Sequence, residues 1–335
     1  MFKELIYLPG SQEIEISSFI REYSGNTVTF SFLTSGTTGK PKPFIFSKDQ
    51  LNVSAKKSIT YFELDEFHTF YLCLDIKTVA AKMLIVRAYL CGATLICGPV
   101  KREIEFPTER RIDFISVVPI QLHYLIEKNN DSLRKTKILI GGADISTALT
   151  KKIVTLELNC FQSFGMTETL SHVAVRKITS PLSPYTGLDG IKFSTMDERL
   201  MVHYPELQEE PITTTDEVQL IDETHFFWKG RQDFVINSGG VKLHPIEIEE
   251  SIHENLGLKT LIFGLPDQAL GEKLAMLVLR KDPLDLNKGN FSFLTSYEIP
   301  KQYQCIDSFF YLPNEKIDRI KMKLASKENE WRAIL

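Results

Sequence analysis

Cysteine is scarce in this chain and is not arranged for cross-linking. There are five in 335 residues, Cys73, Cys91, Cys97, Cys160 and Cys305, and no two have Cys-x-x-Cys spacing. An odd count, with several thiols inside apolar runs such as residues 89–97, excludes a disulfide framework or a thiolate zinc site and fits buried free thiols in a reducing, cytoplasmic setting. Apolar runs free of charge and long enough to span a bilayer are missing too. The greasiest stretch, residues 78–97, carries Lys82 and Arg87 in its middle, and one such charge at a bilayer centre costs about 2.5–3.5 kcal/mol, so no membrane span is expected. The first residues, MFKELIYLPG, have neither the basic start nor the apolar stretch of about 7–15 residues that a secretory leader needs, and export is not expected. Nor is there a cationic excess: 39 Lys and Arg against 43 Asp and Glu give a net charge of −4. Nucleic acid is therefore not expected as a partner, and any anion must be held by local groups.

What is present is a globular composition, 43% apolar and 24% charged, spread over a length that calls for more than one packed unit. Residues 27–33 (TVTFSFL) and 43–46 read as strands joined by a large Gly/Ser/Thr loop. Strand candidates follow at 84–86 or 93–96, at 114–118 and at 137–140, with room for helices such as 119–127 between them. Alternation of strand and helix predicts an α/β fold with a mainly parallel sheet. After Gly187 the texture changes to short strands at 200–203, 217–221 and 225–229, a smaller β-rich unit. Pro245 then opens a helix with Ile246, Ile248 and Ile252 along one face and Glu247, Glu249 and Glu250 near its positive end. The reading divides the chain into a large domain, 1–232, and a small α+β domain, 233–335.

The loop at 34–42 reads TSGTTGKPK. Glycine tolerates positive φ and lets a ligand approach the backbone, so successive N–H and O–H groups can converge on phosphate oxygens, with Lys40 adding a cation. It is not a Walker A loop, which needs Gly where Thr34 stands and Ser or Thr where Pro41 stands. A plain hairpin turn would account for a bare Gly/Ser/Thr loop. The full string, however, resembles the phosphate loop of the acyl-adenylate-forming superfamily, which includes acyl-CoA synthetases, nonribosomal peptide adenylation domains and luciferases. Three further segments resemble that superfamily's motifs in its own order: QSFGMTET at 162–169, GRQDFVINSGGVKLHPIEIE at 230–249 and PNEKIDR at 313–319. The likeness covers nearly all of the chain from about residue 28.

The resemblance implies ATP, a magnesium ion and coenzyme A as ligands, with a small-molecule carboxylate as substrate. Thr34, Ser35, Gly36, Thr37, Thr38, Gly39 and Lys40 would cradle phosphates. Phe164, beside Gly165, would lie against the purine, while Thr167 and Glu168 would act at the phosphates, Glu168 holding the metal through hard oxygen ligation. Gly141, Gly142 and Ala143 follow the strand at 137–140 and fit either a nucleotide crevice or an ordinary tight turn. Asp216 matches the acid that accepts both ribose hydroxyls and Arg231 the arginine that clamps the same sugar and phosphate. Asp233 falls on the hinge between domains. Lys316 would swing in to steady the charge that builds on the α-phosphate, and after rotation Gly239 and Gly240 would leave room for pantetheine. Glu315 departs from the motif, which usually has Gly there.

Members of the superfamily usually carry a long segment ahead of the phosphate loop, whereas Thr34 comes almost at once. The resemblance thus implies a largely missing N-terminal subdomain, an acyl pocket built from what remains, and apolar surface that a homodimer would cover. Together with residues 79–92 and ETLSHVA at 168–174, this resembles the short o-succinylbenzoate-CoA ligases of menaquinone biosynthesis. Such a substrate needs a cation or hydroxyl for its second carboxylate, for which Lys82, Ser171 and His172 are candidates. An enzyme that loads another aryl or alkyl acid onto CoA or a carrier protein, and a non-catalytic nucleotide-binding relative, share the same nucleotide residues.

Overall fold

Short strands whose successive apolar residues face opposite ways set the architecture. In a computed structural model the described residues are 1–335 apart from 34–41, 108, 129, 130, 144, 181, 232, 233, 283, 312–316, 327–330 and 335. The chain begins with β1 (Glu4–Tyr7), α1 (Glu13–Ser24), the strands β2 (Thr29–Leu33) and β3 (Pro43–Ser47), and α2 (Lys48–Phe62). It continues through β4 (Thr69–Leu72), α3 (Val79–Cys91), β5 (Thr94–Cys97), β6 (Phe114–Val117), α4 (Pro119–Glu127), β7 (Lys137–Ile140), α5 (Thr147–Thr155) and β8 (Cys160–Met166). Strands β1, β5, β4, β6, β7 and β8 lie side by side in that order, and every pair is parallel. Phe70, Leu72, Leu95, Phe114 and Leu139 turn toward α1, α2 and α3, while Tyr71, Ile96, Ile115, Val117, Ile138 and Ile140 turn toward α4 and α5. Both faces are covered by helices, as a parallel sheet requires.

The predicted strands at 27–33 and 43–46 form an antiparallel pair in which Phe30 faces Phe46. One expectation fails. Residues 84–86 are not a strand but the middle of α3, which is buried on nearly every side from Ala81 to Ala88. The Thr78 hydroxyl caps the helix by accepting from the Ala81 N–H, and Gly92 closes it in the left-handed conformation. A helix apolar all round has no 3.6-residue stripe to betray it.

The same sheet goes on, antiparallel, with β9 (Ser171–Lys177), β10 (Tyr185–Gly187), β11 (Lys192–Met196), β12 (Arg199–His203), β13 (Ile212–Leu220) and β14 (His225–Arg231), in spatial order β9, β10, β14, β13, β12, β11. The β-rich segment after Gly187 is therefore hydrogen-bonded into a sheet of 12 strands as its antiparallel limb. Phe226, fully buried, anchors that limb: Phe164, Tyr185 and Phe193 surround it with ring centroids 5.2, 5.3 and 4.9 Å away.

The chain leaves this sheet at Arg231 and enters a second one at Ile236. That sheet holds β15 (Ile236–Ser238), β16 (Val241–Leu243), β17 (Thr260–Asp267), β18 (Gly271–Leu279), β19 (Gln302–Ile306) and β20 (Arg332–Ala333), with α6 (Pro245–Leu256) and α7 (Arg319–Ala325) beside it. Pro245 starts α6, whose Ile248 and Ile252 are buried. No described helix is long and apolar enough to cross a membrane. Truncation of an aromatic ring so enclosed leaves a large void, so Phe226→Ala should lower unfolding free energy by about 3–5 kcal/mol, read as a shift of the urea midpoint at unchanged slope.

Candidate active site

The hairpin that joins the parallel and antiparallel limbs of the large sheet carries most of the chemistry-bearing side chains. Strands β8 and β9 pair Gly165 with His172 and Met166 with Ser171, and the register skips a residue between Phe164 and Gly165. A Cβ on Gly165 would lie 2.1 Å from the Ser171 carbonyl oxygen, so no side chain fits there. Leu170 and Ser171 both have positive φ, +54° and +111°, a strained pairing for non-glycine residues that local bonds must hold in place. Thr169, fully buried, supplies them: its hydroxyl accepts from the Met166 N–H at 2.9 Å and lies 2.7 Å from the Ser171 carbonyl oxygen. Thr167 and Glu168 are thereby set half-buried at the tip. Nothing in the sequence set Thr169 apart from its neighbours; its role exists only in the folded turn.

Phe164 is 9% exposed and stands edge-on to Tyr185 and Phe226 at 5.8 and 5.2 Å, which anchors it at the margin of the core. Beside it, Gly141 extends the parallel ladder, its N–H donating to the Val117 carbonyl at 3.0 Å. A Cβ at Gly141 would meet Ser163 Oγ at 2.8 Å, so the small residues of the 141–143 turn have a packing reason of their own. Asp216 and Arg231 are direct cross-strand partners on β13 and β14. Asp216 Oδ1 accepts from the Trp228 indole N–H at 2.8 Å, and Arg231 Nη2 donates to Thr215 Oγ1 at 2.9 Å. The sequence-predicted clamp pair is thus adjacent. Gly239 and Gly240 form the two-residue turn between β15 and β16 with φ of +61° and +81°. That turn type favours glycine at both positions, and a Cβ on Gly240 would meet nothing within 4 Å. Residues Thr34 to Lys40, Asp233 and Lys316 lie outside the described residues.

The candidates for the acyl substrate separate. Ser171 Oγ is 3.3 Å from His172 Nδ1, and His172 Nε2 is 2.8 Å from Ser58 Oγ of α2. Lys82 is elsewhere: its ammonium sits over the rings of Phe32 and Phe19 at 5.0 and 5.4 Å, facing α1 and β2. The cation beside Ser58 is instead Arg87, five residues along α3 and so about 140° round the helix from Lys82. Its Nη1 donates to Ser58 Oγ at 3.4 Å. Arg87 is 1% exposed and faces no carboxylate among the described residues, and burial pushes its pKa down to about 10. An unpaired buried guanidinium is costly and rarely kept without a task. The sequence carries the signal, a charge inside an apolar run.

Glu168 offers one carboxylate at the hairpin tip, and among the described residues no three His, Cys, Asp or Glu converge. One hard oxygen ligand suits a magnesium ion carried in on a phosphate chain, which keeps waters and phosphate oxygens as its other ligands.

Burial first, and the Arg87 charge second, hold the His172 pKa well below 6.5. The folded protein therefore binds no proton there when the unfolded chain does. Stability contributed in this way is flat above about pH 6.5 and is lost as pH falls below it. Denaturation measured from neutral pH down to about 5 should show wild type losing up to about 1.4 kcal/mol per pH unit relative to His172→Gln. Parallel profiles would show that the imidazole takes up protons as freely folded as unfolded.

With this geometry in hand, comparison with known proteins is informative. The family described as AMP-binding enzyme matches residues 12–200. The 2-succinylbenzoate–CoA ligase of Listeria monocytogenes serotype 4b (strain F2365) is 27% identical over 326 residues, covering 87% of this chain and 68% of that protein. The Haemophilus influenzae ligase of the same name is 24% identical over 319 residues, 88% of this chain and 65% of its own. The chain thus spans about two thirds of the length of these curated relatives. An acyl-CoA synthetase (AMP-forming)/AMP-acid ligase II-like protein from Dyadobacter fermentans DSM 18053 superposes with a TM-score of 0.60 at 28% identity over 93% of both chains. The Bacillus subtilis o-succinylbenzoate CoA synthetase, solved with its acyl-adenylate intermediate, gives a TM-score of 0.77 at 20% identity over 91% of this chain and 70% of that one, a likeness of fold. Because the family match takes in more than half of the residues, from α1 through the β8–β9 hairpin to the start of β12, the chain belongs to the AMP-binding enzyme family.

Proposed function

We propose that the chain is an AMP-forming acyl-CoA ligase that activates an aromatic dicarboxylate, o-succinylbenzoate, in the cytoplasm as a step of menaquinone biosynthesis. The observation that carries this reading is Arg87, a buried cation with no acid partner among the described residues, linked through Ser58 and His172 to Ser171 beside the catalytic turn. A dicarboxylate keeps one carboxylate charged after the other is joined to AMP as a mixed anhydride, since carboxyl groups ionise near pH 4. That remaining charge is what an unpaired guanidinium suits. The relatives named as 2-succinylbenzoate–CoA ligases point to the same substrate.

In the first half-reaction one substrate carboxylate attacks the α-phosphate of ATP, forming acyl-AMP and releasing pyrophosphate. Asp216 would accept from the ribose hydroxyls and Arg231 would clamp the sugar and phosphate, while Glu168 would hold magnesium, which neutralises phosphate charge when bound. Lys316 would place its ammonium where charge builds on the α-phosphate. In the second half-reaction the thiolate of CoA attacks the acyl carbon, AMP leaves, and no covalent enzyme intermediate is required. A rotation about Asp233 between the two steps would exchange Lys316 for the Gly239–Gly240 turn at the site. A homodimer is the assembly this reading favours, because β2 and β3 expose Leu33 and Ile45.

Pyrophosphate release measured over a panel of aryl and alkyl carboxylates, with and without CoA, should be greatest with o-succinylbenzoate; release that is independent of any dicarboxylate would sink the assignment. Arg87→Gln, which removes the buried positive charge behind Ser58, should raise the KM of the dicarboxylate about tenfold, with the KM of ATP unchanged. Lys316→Ala should abolish acyl-AMP formation while ATP still binds, as judged by pyrophosphate release beside equilibrium dialysis.

A further inference from the structure

Ser58 stands 114 residues away from His172 in sequence and 2.8 Å away in space. We propose that Ser58 is a positioning residue that fixes His172 in its Nδ1–H tautomer and so presents the Ser171 hydroxyl as a hydrogen-bond donor to the free carboxylate of a dicarboxylic acyl substrate. The inference rests on the reading of this pocket as the acyl site.

The direction of each hydrogen bond follows from Arg87. A guanidinium has only N–H donors, so in the 3.4 Å contact Ser58 Oγ accepts. Its own hydrogen is left to donate to His172 Nε2, which must then be the acceptor nitrogen of a neutral imidazole. The ring proton is consequently on Nδ1, 3.3 Å from Ser171 Oγ, which accepts it. Ser171 retains its hydroxyl hydrogen, and that hydrogen has no acceptor among the described residues. The opposite tautomer would make Ser58 accept from both sides, with its hydrogen stranded in a buried site, and would leave Ser171 turning lone pairs toward an incoming anion. The sign of the interaction with a carboxylate therefore depends on one serine hydroxyl.

Exposure grades inward along the chain of bonds: 9% at Ser171, 5% at His172, 2% at Ser58 and 1% at Arg87. Ser171 is thus the member nearest to solvent, and the Arg87 charge lies where water does not reach and electrostatic interactions are least screened. The ring plane is fixed as well. Phe62 lies one helical turn beyond Ser58 on the same face of α2 and meets the imidazole edge-on at 6.2 Å.

Two-bond 15N–1H correlation spectra of the whole protein, with the His172 signals assigned by their loss in His172→Gln, read the tautomer directly. Wild type should show Nδ1–H alone, and Ser58→Ala should show Nε2–H or a mixture. In steady-state assays Ser58→Ala should raise the KM of o-succinylbenzoate about tenfold, with the KM values of ATP and of benzoate unchanged, and Ser58→Thr, which keeps the hydroxyl, should restore both spectrum and KM. An Nε2–H tautomer in wild type overturns the proposal without recourse to any variant. Equal changes for benzoate and o-succinylbenzoate in Ser58→Ala overturn it too, since they would mark a general packing defect. If wild type turns over no dicarboxylate at all, the acyl-site reading falls by itself, and the spectra still decide the tautomer.

Discussion

Position 165 tolerates no side chain, and the rest of the site depends on that. The backbone of β9 comes so close to Gly165 that the Ser171 carbonyl takes the place a Cβ would need. This close approach lets the hairpin close with Leu170 and Ser171 in positive-φ conformations, held by the Thr169 hydroxyl. The cost of such strain is of order 1–3 kcal/mol per residue. In return one turn sends Thr167 and Glu168 outward at its tip and Ser171 and His172 inward along its returning strand. The residues proposed for nucleotide chemistry and those proposed for acyl recognition therefore share one hairpin.

How much of this the sequence revealed depends on whether a residue's role is local. The β2–β3 pair was legible because alternation of apolar and polar residues is a property of the strand itself. The helix after Val118 and the one at Pro245 were legible from their apolar spacing and N-terminal signals. Residues 84–86 were ambiguous because a helix buried all round loses its stripe, and length and the Thr78 and Gly92 caps decide the matter. Asp216 and Arg231 could be named from motif position, but their cross-strand register could not. Phe164 is a related case: its motif position says aromatic, whereas its packing depends on Tyr185 and Phe226, which come 21 and 62 residues later.

Arg87 and Ser58 illustrate the opposite limit. Each is unremarkable in its own helix, one a charge in an apolar run, the other a hydroxyl on a polar stretch. Their meaning comes from α2, α3 and β9 meeting at one point, which no window of sequence contains. A lysine at position 82 was the natural choice for an anion because it is as close in sequence to the expected pocket. Helical geometry sends it instead onto the rings of Phe19 and Phe32. There the cation is solvated by aromatic faces in place of water.

The same reasoning bears on how the second sheet attaches to the first. The buried apolar clusters of the two do not merge: those with α1 to α5 are separate from those with α6 and α7. What crosses between them is largely polar. Glu217 of β13, with its side chain 4% exposed, lies 3.7 Å from Lys242 and 3.6 Å from His244, and Lys151 of α5 reaches Glu254 of α6 at 3.1 Å. Ion contacts of this kind can be exchanged for water at small net cost where they are exposed; an apolar seam would lose its burial outright. Glu217 is the exception, since a buried carboxylate parted from Lys242 and His244 would be unpaired. A rotation that separated the sheets would therefore be resisted chiefly at that residue, and a second orientation must either keep Glu217 covered by another cation or admit water to it.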